Sequence, residues 1–343
     1  MSLDVWASLE GHVKALNRHD ISIQFFLGVN AVGPGSGDIQ WSSMSEPTKR
    51  WWVAYLVARI APFANLGGYQ YGPESSGNSQ IGDYQLATLL REMDPFGHAT
   101  TYEEENVTLR NHFDLPAWTF GSVEALGAGD RRLCGDKSKT CLGGSTQNHH
   151  DVSLQGYRGK PVYMCEGHDL WRSWWQAEEP NVVRAAWAVT TAAASFTWSD
   201  LGNKRDDPYL STQTFVTYPT AAKSIDVLNH IMVKELPAFF RMVPADALVL
   251  APPELTYCLA EKGHQYIVYS DAGAPFSLNT LPALGAEAVA GSLNLTWFDP
   301  GTGAATHGGA VPHAASVKLT PPGVGQHWVA MLLSSAAAAA GRE

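Results

Sequence analysis

The chain has 343 residues, which sets an expectation of about two domains. Hydrophobic residues make up 45% and charged residues only 16%, enough apolar material for large cores, so disordered and low-complexity classes are excluded. The net charge of −10 argues against a nucleic-acid partner, because phosphate backbones need a basic surface.

Trp6, Leu9, Val13 and Leu16 recur at helical spacing and predict a first helix. Ile21–Gly28 reads as a short buried strand. A loop rich in Gly and Ser follows, then an amphipathic helix over Pro47–Ile60 and a strand at Leu66–Tyr71. The alternation continues with a helix at Tyr84–Met93, extended segments at His98–Tyr102 and Leu115–Phe120, and helical character at Gln147–Tyr157. Pro161–Glu166 is a strand, Asn181–Ala193 a helix, Ser195–Trp198 a strand and Ala221–Phe239 a helix. Strands alternating with helices predict a parallel sheet with helical crossovers. A closed eight-stranded barrel needs about 250 residues and two more strands than are read here. The region is therefore either an open α/β sheet or a barrel whose first two units lie outside this chain.

The pattern changes around Pro252-Pro253. Short strands recur at Thr256–Ala260, Gln265–Ser270, Pro275–Leu278, Leu293–Phe298, Ala315–Leu319 and Trp328–Leu333, separated by turns such as Lys262-Gly263 and Asp271–Gly273. That spacing fits a small β-sandwich. The expected domains are 1–248, α/β, and 249–343, all-β. No apolar run reaches the roughly 18–20 residues of a membrane span. Met1–His12 lacks the basic start and apolar core of a signal peptide. Cys165 and Cys258 read as buried thiols in apolar strands. Cys134 and Cys141 flank a polar loop, where a bridge and two unpaired thiols are both open readings. Neither a metal-type cysteine pair nor a phosphate or dinucleotide loop occurs, so no metal and no cofactor is expected.

Two carboxyls follow apolar strands: Glu74 after Leu66–Tyr71, and Glu166 after Pro161–Cys165. Functional residues of parallel α/β folds gather at the carboxyl ends of strands. Two such carboxyls can serve a glycosidic bond, one protonating the leaving oxygen and one facing the anomeric carbon. The alternative for each is a helix cap or an ion pair, but a charge ending an apolar run is costly unless used. Tyr69, Tyr71, Trp118, Trp171 and Trp198 fall at or near the predicted strand ends, where flat rings can pack on sugar C–H faces. For any one of them, core packing is the competing reading. His98 and Tyr102 flank a predicted strand, and His168 follows Glu166 closely enough to bind hydroxyls.

The stretches Ala61–Glu74, Lys160–Trp171 and Ala186–Asp200 resemble the clan of retaining glycoside hydrolases with a (β/α)8 barrel, and within it the apiosidase-like (DUF4038-type) proteins. In the C-terminal region, Tyr257-CLAEKGHQYIVYS, Leu295-TWFDPGTG and Gln326-HWVAMLL resemble the collagen-binding-type β-sandwich that commonly follows such barrels. The resemblance implies Glu74 as acid/base and Glu166 as nucleophile, although the approach Tyr71-Gly-Pro-Glu74 departs from the family's Gly-Gly-Asp or Asn-Glu pattern. It implies that Ile21–Gly28 is the third barrel strand, a polysaccharide as substrate, and a secreted or periplasmic site of action. Two functions stand at this point: a retaining glycosidase, or a catalytically silent carbohydrate- or matrix-binding protein.

Overall fold

The computed structural model describes residues 3–27, 41–71, 80–104, 116–124, 150–151, 153–154, 160–169, 179–199, 219–236, 238–253, 255–282 and 291–334. The chain divides into two units, Met1–Gly127 with Arg158–Cys165, and Ala128–Tyr157 with Glu166–Glu343.

The first unit carries α1 (Leu3–Asn17), β1 (Ile23–Phe26), α2 (Glu46–Ile60), β2 (Leu66–Tyr71), α3 (Gln80–Met93), β3 (Ala99–Glu104), β4 (Gly121–Glu124) and the start of β5 (Val162–Asp169). The sequence of α2 explains its limits. Ser45 is extended and its side chain accepts from the Thr48 amide, and Pro47 fits the first turn, where no amide partner is needed. Val53, Leu56, Val57 and Ile60 then recur on one face and are buried. β1 pairs with β2, β2 with β3 and β3 with β4, all parallel. Gly68 permits the close β2–β3 approach: a Cβ there would lie 2.7 Å from the Ala99 carbonyl oxygen. The strand order runs β1-β2-β3-β4-β5, and β6 (Ala194–Ser199) belongs to the second unit.

β1, expected as a buried strand over Ile21–Gly28, is assigned to Ile23–Phe26 and has no buried residue, and two further strand boundaries differ from the sequence reading. The extended segment expected at Leu115–Phe120 is a turn at Pro116–Ala117 followed by irregular chain, and the strand begins at Gly121. Side chains of β3 help to hold that segment, beside one backbone bond from the Thr119 amide to the Thr100 carbonyl at 2.9 Å. Thr100 Oγ1 donates to the Ala117 carbonyl at 2.5 Å and Thr101 Oγ1 to the Phe120 carbonyl at 2.9 Å. β5 runs on to Asp169, beyond the expected end at Glu166.

The second unit adds α4 (Glu179–Thr191), β6, and α5 (Pro219–His230), which passes into a π turn over Ile231–Glu235. The helix expected to reach Phe239 stops there. The Leu236 amide donates to the Ile231 carbonyl, and the next residue, Pro237, has no N–H to continue the ladder. Nine strands follow: β7 (Val243–Pro244), β8 (Val249–Leu250), β9 (Thr256–Glu261), β10 (Gln265–Ser270), β11 (Phe276–Leu278), β12 (Ser292–Phe298), β13 (Ala305–Pro312), β14 (Val317–Leu319) and β15 (Trp328–Ser334). They form a six-stranded sheet, β13-β12-β15-β10-β9-β7, and a three-stranded sheet, β14-β11-β8.

Strand alternation gives the larger sheet two buried faces. Tyr257, Leu259, Ile267, Tyr269, Val329 and Met331 pack with Val183 and Trp187 of α4 and Val227 of α5. Their neighbours Cys258, Ala260, Tyr266, Val268, Ala330 and Leu332 pack with Phe276, Leu278 and Leu319 of the smaller sheet. The result is a mixed α/β chain with a sheet-rich C-terminal region. Among the described residues, no helix is long and apolar enough to cross a membrane.

Candidate functional site

Glu166 is the fifth residue of the eight-residue β5, whose positions Val162 and Met164 are buried. It therefore lies within the strand and not just past it, because the strand extends through Gly167 and His168. His168 shares β5, Trp198 is in β6, Tyr102 is in β3 and Tyr71 closes β2. Glu74 and Trp171 lie outside the described residues, as do Cys134 and Cys141.

Three of the expected site residues take up well-defined places in the first unit. Tyr69, in the middle of β2, is fully buried. Its ring meets that of His98 edge-on, 6.0 Å between centroids and 86° between planes. Burial raises the phenol well above its ordinary pKa, and the charge of Asp94 adds to the rise. His98 precedes β3, on the side opposite the strand's carboxyl end. Its Nδ1 lies 2.8 Å from Asp94 Oδ2, and its amide donates to the same oxygen at 2.9 Å. Asp94 also accepts from the Phe96 amide at 3.0 Å, so it closes the turn after α3 and fixes the imidazole. Trp118 is buried ahead of β4, and its carbonyl accepts from Lys160 Nζ at 2.8 Å. Trp118 was expected at the end of a strand; because β4 starts at Gly121, the indole instead sits at the amino end.

Sequence reasoning passed over Asp94 and the glutamines of the parallel sheet. Gln24 of β1 and Gln70 of β2 are joined through their side-chain amides. A polar residue interrupts each of two apolar strands, in ISIQFFLG and GGYQYG, and that interruption was the available signal. For Asp94 the signal was an Asp-Pro-Phe-Gly turn directly after a helical run.

In the second unit, His150 is buried and stacks on Tyr257, with centroids 3.9 Å apart. Its Nε2 is 3.3 Å from Asp246 Oδ2. Burial raises the Asp246 carboxyl pKa, and the facing imidazole offsets part of that rise. Asp271 behaves oppositely. Its Oδ1 accepts from Arg184 Nε at 2.8 Å and Tyr269 Oη at 3.0 Å, and lies 2.7 Å from His327 Nδ1. Burial would raise this carboxyl, but the His327 and Arg184 contacts outweigh it and its pKa is lowered.

The WFDPGTG stretch is a capped turn on α5. Asp299 accepts from the Gly301 and Thr302 amides and from the Thr302 hydroxyl. Gly303 has φ +75°, and a Cβ there would meet Val227 of α5 at 2.9 Å. An open groove of about 510 Å³ lies beside this turn, lined by Lys223, Asp226, His230, Glu235 and Thr302 among others. None of the catalytic or sugar-binding candidates read from the sequence lines it, although Phe298, Thr302 and Gly303 of the WFDPGTG stretch do. Among the described residues no set of three or more His, Cys, Asp or Glu side chains is placed to hold a metal ion.

Residues 243–333 match a family model described as "Putative collagen-binding domain of a collagenase". No curated protein matches the chain in sequence. Among solved structures the chain is similar to a glycoside hydrolase family 5 protein from Bacteroides vulgatus, at 16% identity over 96% of this chain and 74% of that one, with TM-score 0.67. A second structure, described as a glycoside hydrolase, shares 15% identity over 85% of this chain and 70% of its own, with TM-score 0.60. A maltogenic α-amylase from Thermotoga neapolitana shares 10% identity over 94% and 81%, with TM-score 0.52. The chain thus has a glycoside-hydrolase-like fold joined to a collagen-binding-type domain.

Proposed function

We propose that the chain is a retaining glycoside hydrolase of the apiosidase-like type, acting on a plant or microbial polysaccharide. The observation that carries this reading is the position of Glu166. It lies inside β5, a strand whose Val162 and Met164 are buried, in a fold otherwise seen in glycoside hydrolases. An acidic position inside an apolar strand is expensive unless it has a task.

In the proposed reaction Glu166 attacks the anomeric carbon while Glu74 protonates the leaving oxygen. Glu74 then takes a proton from water, which releases the sugar from Glu166. Retention requires the two carboxyls about 5–5.5 Å apart, whereas about 6.5–9.5 Å would give inversion. Trp171, Trp198, Tyr71, Tyr102 and His168 are assigned to the sugar. Tyr69, Trp118 and His98 are assigned to support, since burial and the Asp94 contacts already occupy them. The proposed architecture is a (β/α)8-like domain over 1–248 lacking its first two strands, and a sandwich over 249–343. The exposure of β1, which has no buried residue, supports further strands beside it. The proposed place of action is outside the cytoplasm, secreted or periplasmic.

The test is Glu166→Gln, with aryl glycosides as substrates. Hydrolysis should fall by orders of magnitude while sugar binding survives. Unchanged hydrolysis rejects Glu166 as nucleophile. A second reading, a catalytically silent binding protein for carbohydrate or matrix, is favoured by the family model over 243–333. It predicts polysaccharide or collagen retention by the wild-type chain with no hydrolysis at all.

A further inference from the structure

The outer side of α2 carries an aromatic arrangement that the core does not need. Val53, Leu56, Val57 and Ile60 satisfy the buried face of this helix, yet Trp51 is 65% exposed. One turn on, Tyr55 stacks against it, with centroids 5.5 Å apart and planes 13° from parallel. The pair is braced from behind. Trp6 of α1 meets Tyr55 edge-on at 5.6 Å and 75°. The Arg59 guanidinium lies over both Tyr55 and Trp6, with its Nε 2.6 Å from Glu10 Oε1. An outward indole whose partner is locked in this way loses little freedom when something lands on it.

Shape and charge restrict what that is. Ala54 and Ala58, both exposed, share this stripe of the helix and leave the Trp51 ring standing proud of it, backed by half-exposed Tyr55. The charged neighbours are already matched, Arg59 with Glu10 and Arg50 with Glu92. The described guanidiniums beside the rings are thus matched, which leaves little grip for a polyelectrolyte. Two rings are far less than the roughly 800 Å² per partner of a stable protein interface. A flat, neutral, hydroxyl-rimmed ring fits all three conditions, with C–H groups on the indole face and hydroxyls towards the rim.

We propose that Trp51 and Tyr55 form a carbohydrate-stacking site for a neutral polysaccharide on α2, away from β5 in sequence and in the other unit from Glu166. It rests on the glycosidase reading only for the class of ligand. The experiment is native electrophoresis of the full chain through gels containing arabinoxylan, xyloglucan, galactomannan or gelatin, with aryl-glycoside hydrolysis measured in parallel. At least one neutral polysaccharide should retard the wild type. Trp51→Ala should weaken that retardation by about fivefold or more in apparent affinity, and Trp51→Phe should keep part of it. Hydrolysis of the small substrate should be the same in all three, and circular dichroism should show the same helix content. Several results overturn the site: wild-type mobility untouched by every polysaccharide, Trp51→Ala retarded like wild type, a Trp51 effect seen with gelatin alone, or a Trp51→Ala change in sedimentation that reveals a self-association face. Trp51-dependent retardation without any hydrolysis would sink the Glu166 reading and leave this site standing. Hydrolysis with Trp51-independent retardation would do the reverse.

Discussion

β1 of the first unit has no buried residue from Ile23 to Phe26, whereas β10 of the second has no exposed one from Gln265 to Ser270. The contrast follows from neighbours. β10 lies between β9 and β15 and is covered on one face by α4 and α5 and on the other by the three-stranded sheet. β1 has β2 alone beside it among the described strands. A parallel strand normally sits inside its sheet with both faces covered, so β1 marks an edge that the rest of this sheet does not explain. In the antiparallel region two carboxylates are also well matched: Asp271 takes two donated bonds and an imidazole contact, and Asp299 caps its own turn. The C-terminal sheet, even with Gln265 and Ser270 buried in β10, is therefore covered on both faces, while the parallel sheet ends on an exposed β1.

The largest test of this contrast is Trp187→Ala. Trp187 of α4 is fully buried and stacks on Tyr269 of β10, 7° from parallel. Truncating it leaves a cavity between helix and sheet and should cost about 3–5 kcal/mol. Urea unfolding followed by tyrosine and tryptophan fluorescence measures that loss. Amides of β9 and β10 should exchange much faster with solvent, while those of β2 and β3 should not. Equal acceleration in both sheets would mean that the two regions unfold as one, and the contrast drawn from burial would have no energetic counterpart. The same shared core means that a cut near residue 250 would strip α4 and α5 of their cover. A deletion there tests folding before it tests binding.

A middle-sized effect separates two partly buried aspartates, Asp271 and Asp246. Asp271 has a lowered carboxyl pKa in the folded chain because the His327 and Arg184 contacts outweigh burial. Below the ordinary value of 3.8 the unfolded chain binds this proton before the folded one does. The contribution of Asp271 is thus complete above that value and is lost as the pH falls through its folded pKa. Asp271→Asn should cost about 2 kcal/mol at neutral pH and flatten this acid limb. Asp246 has the opposite sign. Its pKa is raised by burial, so stability falls as the pH rises from 3.8 through the folded value. Stability measured from pH 2.5 to 7 in the variant and the wild type checks the first claim. An unchanged acid limb in Asp271→Asn would show that the Arg184–Asp271–His327 cluster is not ionised as described.

Most of the fold was legible because its signals are local. Val53, Leu56, Val57 and Ile60 announce α2, and the apolar runs of β9, β10, β12 and β15 fall within a residue or two of their observed ends. β13 escaped notice for a physical reason. It is an edge strand, mostly exposed, with two adjacent glycines and no apolar alternation. The early end of α5 follows from Pro237, a breaker that apolar periodicity alone does not register. The candidate site was less legible. Position along the chain led to Glu166, but a strand end misplaced by a few residues put Trp118 at the wrong side of its strand. A strand's carboxyl end is a tertiary fact, set by partners such as Thr100 and Thr101 that lie far away in sequence.

The smallest effect falls in the first unit, where Ser45→Ala removes the cap of α2. The hydroxyl accepts from the Thr48 amide at 3.3 Å, and without it that donor faces water alone. Loss of such a cap costs about 1 kcal/mol. α2 joins β1 to β2, so the penalty should appear as faster exchange at Thr48, at Lys49 and along the β1–β2 ladder, with β9 and β10 unchanged. The outcome also bears on the exposed edge. If β1 is held chiefly through α2 and β2, a change at one helix end reaches it directly, because no second strand among those described shares the load. If exchange along β1 does not move, the edge strand draws its order from something other than its visible neighbours, and the comparison with β10 would have to be drawn on different grounds.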